Sequence, residues 1–142
     1  MSSSISYEFY NSNFLQNAQF VLDAVAITNA TTIPYATVFI NGTNISKPTA
    51  STIALASGHM YLISCIFKGS VTTSTTIKVT PRFNTVEQTQ FSVGTVIPFA
   101  TTAGVSGTFL ADASIASITL DFLYNGTNAS TPTGSVSIVQ IT

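Results

Sequence analysis

Apolar residues recur at every second position through most of this chain, a spacing that puts alternate side chains on opposite faces of a strand. The run 61–67 is the most regular: Tyr61, Ile63, Cys65 and Phe67 share one face, with Leu62, Ser64, Ile66 and Lys68 opposite. ISYEFY aligns Ile5, Tyr7 and Phe9; SITLDFLYN aligns Ile118, Leu120, Phe122 and Tyr124; GSVSIVQIT sets Val136 and Ile138 against Val139 and Ile141. Shorter runs (TVFI, TIAL, TTIKV, FSVGTVIPF, SGTFLA) are bounded by Gly, Pro, Asn or Ser/Thr clusters. About eight to ten short strands with frequent turns predict an all-β protein, an antiparallel two-sheet sandwich with under about 10% helix. Tyr61, Ile63, Cys65 and Phe67 are expected in its core. One segment admits two readings: in NFLQNAQFVLDAVAI, Phe14, Leu15, Ala18, Val21, Leu22 and Val25 fit a helical stripe behind a Ser12 or Asn13 cap, while the Val and Ile toward its end favour a strand.

The composition explains how strands can dominate. Only 6% of the 142 residues are charged and 45% are hydrophobic, while 23 Thr and 18 Ser replace the missing charges with hydroxyls. Threonine is β-branched and suits a pleated surface whose outer face is wet. The length fits one domain. Four scattered cations, Lys47, Lys68, Lys78 and Arg82, in a chain of net charge -1 make no footprint for a nucleic acid. The single cysteine, Cys65, sits in an apolar run and reads as a small buried hydrophobe. MSSSISYEFY has neither the basic nor the apolar region of a secretory signal. No apolar stretch approaches the roughly 20 residues of a membrane-spanning helix, so no membrane insertion is expected.

Chemistry-bearing patterns are sparse. His59 is the only histidine and has no cysteine or carboxylate beside it at metal-ligand spacing. Glu8, Asp23, Glu87, Asp112 and Asp121 are dispersed, and no G-x-S-x-G elbow frames a serine. The loop Gly104-Val105-Ser106-Gly107 lacks the lysine of a phosphate cradle. The expectation is a protein without catalytic residues, cofactor or metal. One motif occurs almost twice, NGTNIS at 41–46 and NGTNAS at 125–130, each after a strand-like run. Asn-Gly supplies the positive φ of a tight hairpin turn. Asn29, Asn41, Asn44, Asn125 and Asn128 also head Asn-x-Ser/Thr sequons, but a chain this rich in Ser, Thr and Asn makes sequons by chance, and turns are the better reading.

The stretch SGHMYLISCIFKG, with Gly58, Tyr61, Ile63 and Ser64 after STIALAS, resembles the tumour-necrosis-factor and complement-head jelly-roll superfamily. The likeness is greatest to its bacterial branch at the tips of collagen-like exosporium proteins. GSVSIVQIT is similar to the family's closing strand and IPYATVFINGTNIS to its opening strand and loop, so the resemblance covers roughly residues 33–142. No Gly-x-y collagen repeat precedes it. The same fold resembles head fibres, decoration proteins and receptor-binding tips of phages.

The resemblance implies an all-β, TNF-like jelly roll over residues 31–142. It also implies a homotrimeric structural subunit on a phage capsid or tail or on a spore surface, in contact with a capsid, tail or spore-coat protein. The alternatives are a receptor- or carbohydrate-binding tip, or a subunit of a self-assembling appendage. Tyr61, Ile63, Phe67, Leu120 and Phe122 are the candidate trimer or core positions. Residues 1–30 carry Tyr7, Phe9, Tyr10, Phe14 and Phe20, five of the 15 aromatics, and are expected to be an attachment segment, with Tyr7, Phe9, Tyr10 and Phe14 making the contacts. The bland alternative is an ordinary first strand.

Overall fold

A computed structural model describes residues 16–98 and 101–142. The chain runs β1 (Asn17–Leu22), β2 (Ala26–Ile27), β3 (Thr31–Thr32), β4 (Tyr35–Asn41), β5 (Ile45–Ser46), β6 (Ile53–Leu55), β7 (His59–Val71), β8 (Thr75–Phe83) and β9 (Val86–Glu87). A 3₁₀ turn (Thr89–Phe91) leads to β10 (Val93–Ile97), β11 (Thr101–Ala113), β12 (Ile118–Asn125) and β13 (Ala129–Gln140). The described residues hold no α-helix.

The strands form two antiparallel sheets. The first, sheet A, has the order β11-β7-β13-β1-β4 with β2 beside β13; the second, sheet B, has the order β10-β8-β12-β6-β5 with β3 beside β12 and β9 beside β8. Strands adjacent in the chain repeatedly lie in different sheets, so the fold is a jelly roll and not a meander.

Alternation then does what the sequence pattern dictates. Along β7, Tyr61, Ile63, Cys65 and Phe67 turn inward and are buried. From sheet B, Leu120, Phe122 and Tyr124 of β12 meet them, all fully buried. Rings line the core: Phe91 stacks on Phe109 with centroids 5.0 Å apart, Phe109 lies 6.3 Å from Phe122, and Tyr35 meets Phe122 edge-on at 6.0 Å. Each fully buried phenylalanine ring, such as Phe122, contributes about 3–5 kcal/mol relative to alanine.

The segment with two readings forms strands at Asn17–Leu22 and Ala26–Ile27, with residues 23–25 irregular between them. In β1, Ala18 and Phe20 point inward with Asn17, Gln19 and Val21 opposite, a period of two that a helix could not bury against a flat neighbour. β1 is not an appendage, since it pairs with β13 on one side and β4 on the other, with Phe20 fully buried. The sandwich therefore begins by Asn17, ahead of the boundary expected at residue 31. Tyr7, Phe9, Tyr10 and Phe14 lie outside the described residues.

The two Asn-Gly turns correct one expectation. Gly42 (φ 88°) and Gly126 (φ 143°) do take the positive φ that favours glycine, but Asn41 and Asn125 stay in strand geometry as the last residues of β4 and β12. Only one of each pair has the φ that a tight Asn-Gly hairpin requires of both. Instead of closing hairpins, the turns carry the chain between sheets, from β4 in sheet A to β5 in sheet B and from β12 in sheet B to β13 in sheet A. The two-residue hairpin with both φ values positive joins β8 to β9 through Asn84 (φ 52°) and Thr85 (φ 68°).

Candidate functional site

With inner faces committed to one core, the outer faces of the sheets decide what the domain can do to its surroundings. On sheet A the register aligns residues across all five long strands. One row reads Leu110, Leu62, Val139, Asn17, Asn41; the next reads Thr108, Ser64, Ser137, Gln19, Phe39; a third reads Ser106, Ile66, Ser135, Val21, Ala36. Six of the twelve exposed large hydrophobic side chains among the described residues, Val21, Phe39, Leu62, Ile66, Leu110 and Val139, lie on this face. Ile66 is half exposed at 50%. Charge enters only at the ends of the β7–β11 pair, Asp112 opposite Met60 and Lys68 opposite Gly104. Between the apolar side chains lie hydroxyls that satisfy one another, as Ser64 and Thr108 do at 3.2 Å and Ser70 and Thr102 at 3.0 Å. A face built this way can lose water without stranding a charge.

Sheet B differs. Its outer side carries Lys78, Arg82, Thr119 and Leu123 with the buried Thr80 and Asp121 between them, and its exposed large hydrophobics are Val96 and, on the short β9, Val86. Arg82 donates twice to Asp121, Nε to Oδ1 at 2.6 Å and Nη2 to Oδ2 at 2.7 Å, the forked geometry that guanidinium and carboxylate favour. That hydrogen bond holds the Arg82 pKa above its ordinary range.

The end of the sandwich where Gln16 enters is closed by side-chain amides. Gln16 Oε1 accepts from the Thr43 and Asn44 N–H groups at 3.0 Å each, and its main-chain carbonyl accepts from Gln140 N. Asn44 Nδ2 donates to Gln140 Oε1 at 2.6 Å, and Asn41 Nδ2 to Asn17 Oδ1 at 2.8 Å. At the opposite end Gly126 N donates to Asn29 Oδ1 at 2.9 Å. Asn128 Oδ1 accepts from Asn29 N at 3.4 Å, so four of the sequon asparagines, Asn29, Asn41, Asn44 and Asn128, hold turns and strand ends together.

Burial disfavours the charged forms of the interior thiol and phenols. Burial pushes the Cys65 thiol up, and does the same to the phenols of Tyr35, Tyr61 and Tyr124. Tyr61 still donates to Ala56 O at 2.9 Å, and Tyr124 to Thr127 O. Among the described residues no three of His, Cys, Asp and Glu gather where they could hold a metal ion, and no helix is long and apolar enough to cross a membrane. His59 instead bonds Thr142 O through Nδ1 at 3.1 Å and meets the Tyr61 ring edge-on.

The sequence candidates are now placed. Tyr61, Ile63, Phe67, Leu120 and Phe122 all lie in the sandwich core, so none of them is available to a neighbouring molecule. Leu62 and Ile66, the opposite side of the same run, reach the outer face of sheet A together with Val21, Phe39, Leu110 and Val139, which sequence alone did not single out. The signal was present as apolar residues in the second register of each strand. What could not be read was that β1, β4, β7, β11 and β13 lie side by side.

No protein-family model matches the chain, and no curated protein matches its sequence. Solved structures do match its shape. The vertex protein P5 of PRD1 superposes with a TM-score of 0.62 at 16% identity, covering 91% of this chain and 99% of that one. The globular domain of zebrafish complement 1qA gives 0.60 at 6% identity, covering 89% and 98%. Murine APRIL gives 0.56 at 14% identity, covering 85% and 98%. Two antiparallel sheets, their strand order and these superpositions agree: the chain has the TNF-like jelly-roll fold.

Proposed function

We propose that this protein is a non-enzymatic structural subunit, a homotrimer displayed on the surface of a virion or spore, with residues 1–15 as the segment that fastens it to its carrier. The observation that carries the reading is the outer face of sheet A, where Val21, Phe39, Leu62, Ile66, Leu110 and Val139 share one surface. A lone domain gains nothing from such a face. Covering about 800 Å² of it per partner, at about 25 cal/mol per Å² of apolar surface, gives a gross gain large enough to outweigh the cost of association. A vertex protein and a complement head domain among the structures of like fold support a role in assembly or display. The attachment role rests on the aromatic content of Tyr7, Phe9, Tyr10 and Phe14, placed immediately before the strand that enters the sheet.

Light scattering tests the trimer: a mass about three times the 14.9 kDa of the chain is expected at micromolar concentration, and a mass near 14.9 kDa refutes it. Deleting residues 1–15 tests attachment. The deletion must stop there, because Phe20 is a core residue. The truncated chain should fold and associate but no longer join particles; continued incorporation would assign attachment to another surface.

A further inference from the structure

The two copies of NGTN are nearly identical in sequence and differ in what surrounds them. An Asn-Gly bond is open to a spontaneous reaction, because glycine leaves the following N–H unshielded and the backbone free to turn. The glycine nitrogen, giving up its proton, attacks the asparagine Cγ. The N–Cγ bond forms, the Cγ–Nδ2 bond breaks, and the amide nitrogen departs as ammonia with its own two hydrogens and that proton. Water then opens the succinimide ring at either carbonyl, leaving aspartate or isoaspartate. The net change consumes one water, releases one ammonia and needs no oxidant.

We infer that Asn41 is a site of this modification and that Asn125 is protected from it by Asn29. At the first copy Asn41 and Gly42 are both exposed, and the Gly42 N–H finds no acceptor among the described residues. What faces Gly42 is a side chain, that of Gln16, and not main chain. The Asn41 amide is engaged with another side-chain amide, that of the half-buried Asn17. Asn41 also lies at the corner of sheet A, on edge strand β4, where the rim of a covered face stays wet. At the second copy Asn125 and Gly126 are half-buried. The nucleophile is tied up: Gly126 N donates to Asn29 Oδ1 at 2.9 Å. Gly126 is packed against the main chain of β8, close enough that a Cβ would lie 2.5 Å from Thr76 O, so the ring-closing rotation meets backbone. Isoaspartate at 41 would insert a methylene into the main chain just before Thr43 and Asn44, whose N–H groups hold Gln16.

The test is peptide mapping by mass spectrometry of the full-length protein held folded in mildly alkaline buffer. Conversion at Asn41 is expected to run about five- to tenfold faster than at Asn125, the rate worth of one hydrogen bond. Equal rates, or conversion at Asn125 first, would overturn the inference. Asn29→Ala should speed Asn125 about five- to tenfold, the worth of the lost hydrogen bond, and Asn17→Ala should speed Asn41 further. Because Asn29→Ala removes a turn contact, its circular dichroism is checked alongside. If that variant folds and Asn125 remains unreactive, the protective role of Asn29 is wrong. Should it fail to fold, Asn29→Ser, which shortens the side chain and withdraws the acceptor while keeping a polar group at the turn, decides in its place. None of these readouts depends on the protein being trimeric.

Discussion

The two sheets share a core and differ in what they show to water. Sheet A turns out Leu62, Ile66, Leu110, Val139, Val21 and Phe39; sheet B turns out a forked Arg82–Asp121 pair, Lys78 and threonines. A monomer in water has no reason to make its faces so unequal, because half-buried strands normally place polar residues outward on both. On the assembly reading proposed above, the inequality marks sheet A as the face that meets a partner.

The sharpest way to break the comparison is a charge on each face. Ile66→Glu places a carboxylate where a subunit contact would bury it unpaired, at a cost of about 3–5 kcal/mol per contact. Its mass should fall toward 14.9 kDa with the far-ultraviolet spectrum unchanged. Val96→Glu on sheet B should leave the mass as it is. If both variants or neither dissociate, the two faces are equivalent and the assembly reading fails.

Alkaline pH probes the interior that both sheets share. In the unfolded chain the thiol and phenols ionise near their ordinary values of about 8.5 and 10, whereas burial raises those of Cys65, Tyr35, Tyr61 and Tyr124 in the folded protein. Raised groups favour the folded state fully below the unfolded pKa, and that contribution is lost as pH rises toward the folded value. Urea midpoints should hold steady up to about pH 8 and then decline, more steeply above about pH 10. A midpoint that climbs across that range would contradict the burial of these groups.

Sheet B can be weakened without touching assembly. Asp121→Ala leaves Arg82, whose side chain is 22% exposed, without its partner, and about 1–2 kcal/mol of stability should be lost while the mass stays constant. A smaller change has the opposite sign. Thr85 is β-branched at φ 68° in the β8–β9 hairpin, so Thr85→Gly relieves strain and should raise stability by about 0.4–1 kcal/mol, read as a higher urea midpoint.

Much of this fold was legible. The inward set Tyr61, Ile63, Cys65 and Phe67 could be written from alternation alone, because a period of two has one structural meaning wherever a strand has a buried side. The start of the sandwich was harder. Ala18, Val21, Leu22 and Val25 satisfy a helical stripe as well as a strand, and only pairing with β13 and β4 decides between them. The apolar face was half visible: Leu62 and Ile66 stood out on their own strand, but Phe39 belongs with them only because strands far apart in the chain become neighbours. The hairpin misreading has a local cause. Asn-Gly reports a positive φ, and a crossing between sheets needs one as much as a hairpin does.

The position of β1 has a mechanical consequence. The chain enters at Gln16 and runs straight into a strand bonded on both edges, to β13 and to β4. A tension applied through residues 1–15 is directed along that strand, so the hydrogen bonds of both ladders are loaded together in shear and must yield nearly at once. Had the entering strand been an edge strand pulled sideways, they would open one after another under a far smaller force. If residues 1–15 fasten the domain as proposed, the load falls on it in its strongest direction.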